Sequence, residues 1–112
     1  MSELGNLIEL LGDQLALQLI ELHGGTRLNV PRAIGEEHPL RAALGARGVE
    51  LLVRYFGGAE IKVPMARPWR AAIYRTRGLT YREIARRLGC TETAVYGYMA
   101  RARSAAQPEL PF

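Results

Sequence analysis

Little in this chain could staple it, anchor it in a membrane or catalyse a reaction. One cysteine, Cys90, among 112 residues cannot close an internal disulfide, which fits a reducing, cytoplasmic setting. No apolar run approaches the roughly 20 residues that cross a bilayer. Ser2, Glu3 and Leu4 open the chain without the basic region of a signal peptide. His23, His38 and Cys90 stand at no metal-ligand spacing, so neither a metal nor another cofactor is expected. No serine or cysteine nucleophile has a placed base, and no carboxylate pair stands out, so nothing supports an enzyme.

The residues that are present make a folded chain with an uneven charge. Apolar residues are 48% and charged residues 23%, ordinary for a globular protein. Residues 1–65 carry six basic and eight acidic side chains, a net of −2, whereas residues 66–112 carry nine basic and three acidic ones, a net of +6. All nine are arginine, whose forked guanidinium suits phosphate and guanine contacts. A solvated basic face explains the charge equally well until the pattern of the segment is read.

Residues 1–65 hold an internal repeat. A shift of 33 residues aligns Leu11–Pro31 with Leu44–Pro64 without a gap. Leu11/Leu44, Gly12/Gly45, Leu19/Leu52, Gly24/Gly57, Gly25/Gly58, Val30/Val63 and Pro31/Pro64 are identical. Two copies are too few for a solenoid, so the unit must close on its twin or on another chain. Each copy (about 2–31 and 35–64) reads as helix, Gly-Gly stop, short strand and proline. In the first, an apolar helical stripe from Leu4 to Leu22 is interrupted near Gly12, where Asp13 is expected to cap a restart. Leu28 and Val30, and later Ile61 and Val63, alternate with polar residues as half-buried strands require. The Gly pairs follow helices, and no GK[ST] accompanies them, so a phosphate loop is disfavoured.

The C-terminal third reads as three helices. Pro68 suits a helix start, with Trp69, Ala72 and Ile73 as the inward stripe. Thr80-Tyr81-Arg82-Glu83 is a capping box, followed by Ile84, Ala85 and Leu88 as a buried stripe. Gly89 makes a turn, and Thr91 caps a third helix bearing Val95, Tyr98 and Met99. Ala85, Gly89 and Val95 fall where a helix-turn-helix needs a small contact, a turn and a core plug. The third helix would then enter the major groove, N-terminal end first. Thr91, Glu92, Thr93, Tyr96 and Gly97 are the candidates for reaching bases, Gly97 by admitting a close backbone approach. Arg82, Arg86, Arg87, Arg101 and Arg103 are the phosphate candidates.

With RYFGGAEIKVP at 54–64 and RAAIYRTRGLTYREIARRLGCTETAVYGYMARAR at 70–103, the chain resembles the Mor transcription activator family of phage regulators over about residues 7–103. The resemblance implies an N-terminal dimerisation domain of helices and short strands, then a helix-turn-helix in each subunit. It also implies activation by contact with host RNA polymerase, and a strand at Ile61–Val63 that pairs across the dimer. The expected fold is thus mainly α with two short β-strands: a dimerisation domain at 1–65, a helix-turn-helix domain at 66–103 and a tail at 104–112. The expected dimer contacts are Leu15, Leu19, Leu22, Leu28, Val30, Leu52, Phe56, Ile61 and Val63. The expected partners are double-stranded DNA, a second copy and possible host polymerase, with no membrane. A repressor of the same architecture, or a module whose three helices dock an acidic partner, remain alternatives.

Overall fold

Each Gly pair solves two separate problems where a helix must turn directly into a strand. A Cβ on Gly24 would stand 2.5 Å from the Ile20 carbonyl oxygen, so only glycine lets the helix end close. Gly25 has φ +83°, a left-handed conformation that other residues enter at a cost. Gly57 and Gly58 repeat both features, with 2.6 Å to the Val53 oxygen and φ +83°.

The computed structural model describes residues 3–106, with side chains as far as 101. Its described residues form six helices and one two-stranded antiparallel sheet, a mainly helical fold with a helix-turn-helix near the C-terminus. The elements are α1 (Glu3–Leu11), α2 (Asp13–His23), β1 (Arg27–Asn29), α3 (Pro39–Phe56), β2 (Glu60–Lys62), α4 (Arg67–Thr76), α5 (Tyr81–Leu88) and α6 (Glu92–Ala106). They divide into two compact units, Met1–Met65 and Ala66–Phe112.

In the first unit the repeat closes on itself. Leu28 pairs with Ile61, its own counterpart 33 residues later, flanked by Arg27–Lys62 and Asn29–Glu60. The backbone bonds around that pair come in matched sets. Gly25 N–H donates to the Val63 oxygen and Gly58 N–H to the Val30 oxygen, each at 2.7 Å. Val30 N–H donates to the Ala59 oxygen and Val63 N–H to the Thr26 oxygen, each at 2.9 Å. Every member of a set maps onto its mate by the 33-residue shift, so a local two-fold axis passes through the Leu28–Ile61 pair. Of the two pairings the repeat left open, within the chain or across a dimer, the sheet shows the first: β2 pairs with β1 of its own chain. Two three-residue strands are marginal alone, and here the bonds from Gly25, Val30, Gly58 and Val63 extend the pairing beyond them on both sides.

The helices carry the same symmetry. Gly12 (φ +85°) separates α1 from α2, and Gly45 (φ +75°) kinks α3 at the equivalent point. Asp13 does not cap the restart: Gly12 occupies the N-cap position without a side-chain bond, and Asp13 is the first helical residue, where its charge favours the helix N-terminus. His38 caps the second copy, accepting at Nδ1 from Leu40 N–H at 3.1 Å. Most of the core is equivalent pairs, Leu7/Leu40, Leu11/Leu44, Ala16/Val49, Leu19/Leu52 and Val30/Val63, all buried, with Leu17, Ile20 and Ile34 buried beside them.

One pair is deliberately unequal. Leu15 corresponds to Gly48, and a Cβ on Gly48 would meet the Leu15 Cδ2 at 2.8 Å and the Leu44 Cβ at 2.7 Å. A side chain fits in one copy because its counterpart has none. Gly48→Ala gains about 1 kcal/mol of helix propensity but overpacks a site where such insertions cost about 1–3 kcal/mol. A net loss of stability is expected, read as a lower urea midpoint. An unchanged or higher midpoint would show that the two copies do not meet here.

Candidate nucleic-acid interface

The second unit is built by short-range chemistry. Pro68 lies in the first turn of α4, and the inward face of that helix is Arg70, Ala71 and Tyr74, all buried. Trp69, Ala72 and Ile73, the expected stripe, are only half-buried. Arg70 is 7% exposed, and its Nε donates to the Tyr74 hydroxyl at 3.2 Å. Its guanidinium carbon lies 5.8 Å from the Tyr74 ring centre, and that of Arg87, from α5, lies 5.1 Å away. An arginine can occupy an inward position because the phenol supplies both an acceptor and a π-face.

The start of α5 is the expected capping box. Glu83 N–H donates to the Thr80 hydroxyl at 3.1 Å, and Thr80 N–H donates to the Glu83 carboxylate at 2.9 Å. The Thr80 backbone N–H, then the Thr80 side chain, lower the Glu83 carboxyl from its usual 4.5; slight desolvation opposes them and Arg87 assists. A lowered folded value means the stabilisation is complete above the unfolded carboxylate value. It is lost as pH falls through the lowered folded value. Fraying of α5 on acidification is therefore expected, followed by amide exchange at Ile84. Protection of that amide, taken relative to its intrinsic exchange rate at each pH, should fall with acid more steeply in the native protein than in Glu83→Gln. Identical pH profiles for the two proteins would contradict the assignment.

Gly89 ends α5 in the left-handed region (φ +68°, ψ +39°), and the chain turns into α6. Ala94 N–H donates to the Thr91 hydroxyl at 3.1 Å, so Thr91 caps α6 as its position requires. Ile84, Ala85, Leu88, Val95 and Met99 are buried, and α4, α5 and α6 all pack on one another. Tyr98 is half-buried, with the Arg101 guanidinium carbon 5.3 Å from its ring centre.

With Val95 and Met99 turned inward, α6 presents its other face to solvent. Thr91, Glu92, Thr93, Tyr96 and Gly97 are all exposed there. Tyr96 is 61% exposed. Nothing lies within 4 Å of where a Gly97 Cβ would be. Among the phosphate candidates, Arg82, Arg86, Arg87 and Arg101 are exposed, while the Arg103 side chain lies outside the described residues. Arg82 and Arg86 project from α5, and the ring contacts of Arg87 and Arg101 fix where those two side chains point.

One feature of this face had no local signal in the sequence. The Tyr81 and Tyr96 rings meet edge to face at 4.6 Å, and the Arg75 guanidinium carbon lies 5.1 Å from the Tyr81 ring centre. Arg75 also donates to the Leu79 carbonyl oxygen at 2.9 Å. This relay from α4 through α5 orients the most exposed aromatic ring of the α6 face. The three residues span 21 positions and show no common periodicity, so only the packed helices reveal them.

The residues expected at a dimer contact divide sharply. Leu19, Val30, Leu52 and Val63 are no more than 2% exposed and lie in the core of the first unit. Leu22 is 49% exposed, and Leu15, Leu28, Phe56 and Ile61 are half-buried. Tyr55, the counterpart of Leu22, is 46% exposed and was not among the expected residues.

The family model described as "Sigma-70, region 4" matches residues 70–105, about a third of the chain and the part that holds the three helices. No curated protein and no solved structure matches the chain. The C-terminal unit is thus a sigma-70-region-4-like helix-turn-helix domain, consistent with DNA binding and transcription-related function in general. Among the described residues, no cluster of His, Cys, Asp and Glu could hold a metal ion, and no helix is long and apolar enough to cross a membrane.

Proposed function

We propose that the protein is a homodimeric, sequence-specific regulator of transcription that binds double-stranded DNA through α6, an activator resembling the Mor family of phage regulators and acting with host RNA polymerase. The observation that carries the reading is the solvent face of α6, with Thr93, Tyr96 and Gly97 exposed behind the Gly89 turn. It belongs to a unit whose basic residues are all arginine. Thr91, Glu92, Thr93 and Tyr96 read base edges, and Gly97 admits the nucleic acid to the helix backbone. Arg82, Arg86, Arg87, Arg101 and Arg103 hold phosphates, which fixes register without specifying sequence.

Residues 1–65 serve as the dimerisation domain. The exposed Leu22 and Tyr55 and the half-buried Leu28, Phe56 and Ile61 supply its apolar surface, while Leu19, Val30, Leu52 and Val63 hold that surface in shape. Two α6 helices then enter successive major grooves about 34 Å apart, with Met65–Arg67 as the hinge.

Competition binding with specific and random duplexes tests the base-reading role. Arg86→Ala is expected to weaken both duplexes alike, whereas Thr93→Ala is expected to reduce the ratio between them by about one base contact, roughly 5–150-fold (about 1–3 kcal/mol). Equal loss on both duplexes for Thr93→Ala would remove α6 from sequence readout. Promoter fusions separate activation from repression: transcription should rise when the protein is supplied, and a fall would overturn the activator reading.

A further inference from the structure

We propose that the second repeat copy carries a docking site for an acidic, amphipathic peptide segment of another protein. The segment after Pro31 and the helix α3 enclose an open basin of about 520 Å³, lined by Arg32, Arg41 and Arg54 around Ile34, Val49 and Val53. Ile34 and Val49 are the buried floor, and Val53 is half-exposed above them. The basin lies wholly within the first unit and does not depend on how the second unit binds DNA.

The three arginines are poorly satisfied by the chain itself. Arg32 and Arg54 are exposed, and neither has a hydrogen bond or salt bridge among the described residues. Arg41 donates from Nη2 to the Ile34 carbonyl oxygen at 3.1 Å, which fixes its guanidinium at the basin. Its Nε is buried with no hydrogen-bond partner, a costly arrangement for a charged donor. The acid in the lining, Glu50, leans toward Arg47 outside the basin, at 4.0 Å. A carboxylate entering the basin would meet three positive charges and one unmet donor.

The internal repeat supplies a control. At the positions of Arg41, Glu50 and Arg54 the first copy has Ile8, Leu17 and Glu21. The equivalent helix of the first copy is built without Arg41 and Arg54, so the helical repeat itself does not require them. They also stand in a segment whose net charge is −2, so general basicity does not account for them. An apolar floor beside arginines fits a peptide that alternates acidic and apolar side chains. A DNA phosphate would gain nothing from Ile34 and Val53, and could not follow a recessed Nε as a flexible Glu or Asp side chain can.

The test uses the full-length protein and a short fluorescent helical peptide bearing leucine and glutamate on one face, with its Glu-to-Gln version as control. Fluorescence polarisation is expected to show saturable binding of the acidic peptide, undisturbed by saturating duplex DNA. The Gln peptide and the Arg54→Glu protein should each bind about tenfold or more weakly, as for a lost charge pair. Arg54 is exposed and its replacement leaves the core intact; Arg41→Gln, checked for folding by circular dichroism, should weaken binding similarly. Equal affinity of native and Arg54→Glu proteins for the peptide would overturn the proposal, as would no peptide binding at all. Loss of duplex retention in Arg54→Glu without loss of peptide binding would reassign the arginines to phosphate contact. A change in sedimentation of the free protein on that substitution, again without peptide effect, would reassign them to self-association.

Discussion

Tyr74→Ala is expected to destabilise the helix-turn-helix unit by about 3–5 kcal/mol, the usual cost of deleting a large buried aromatic side chain. Tyr74 is fully buried, so its loss leaves a cavity at the centre of three helices. The loss extends beyond volume. Arg70 would keep its inward position with its Nε deprived of the Tyr74 hydroxyl, and Arg70 and Arg87 would both lose the ring they lie against. A unit of this size has little stability to spare, so the variant should be largely unfolded in this region at 25 °C and fail to retain duplex DNA. Tyr74→Phe separates the two contributions: it keeps the ring and removes only the acceptor, at about 1–3 kcal/mol for a buried donor left unmet. Thermal unfolding followed by near-ultraviolet circular dichroism gives the comparison. A Tyr74→Ala protein that melts with the native one would show that Arg70 and Tyr74 do not form the centre of this unit.

Salt should change DNA affinity more than any single substitution on the α6 face. Each neutralised phosphate contributes a slope of about −0.9 to log affinity against log salt. Arg82, Arg86, Arg87 and Arg101 are the exposed phosphate candidates with described side chains. One chain using all four gives a slope of about −3.6, and a dimer gives about −7. The dimer's affinity should then fall by about four orders of magnitude between roughly 50 and 200 mM salt. The slope thus reports subunit number as well as contact chemistry. Removing Arg82 and Arg86 together should make the dimer's slope shallower by about 3.6, because four contacts disappear. An affinity nearly independent of salt would contradict a phosphate-based interface.

The parts of the fold legible in the sequence are those fixed by short spacings. The Ala85–Gly89–Val95 series and the Thr80/Glu83 capping box depend on residues within a few turns of one another, and the structure places each as its chemistry requires. The two Gly pairs were legible as helix stops for the same reason. Strand pairing was not, because Leu28 and Ile61 present the same alternation to a strand of their own chain as to one of a partner. Only the three-dimensional path from Pro31 to Pro39 brings the copies into antiparallel register. Leu19, Val30, Leu52 and Val63 lie in the core of that chain. The inward face of α4 differs for another reason: Trp69, Ala72 and Ile73 were expected there, but Arg70, Ala71 and Tyr74 are buried instead, and the inward position of Arg70 depends on a tyrosine one turn later. The Arg75–Tyr81–Tyr96 relay joins three helices and has no sequence period at all.

Sequence-specific binding through α6 is tested most directly by selecting bound duplexes from a random pool with the native protein and with Thr93→Ala. The native protein should enrich one motif, arranged as an inverted repeat with half-sites about 34 Å, or roughly 10 base pairs, apart. Thr93→Ala should change the preferred base at one position of each half-site and leave the spacing intact. A recovered pool as diverse as the input, or the same motif from both proteins, would contradict readout by this face of α6.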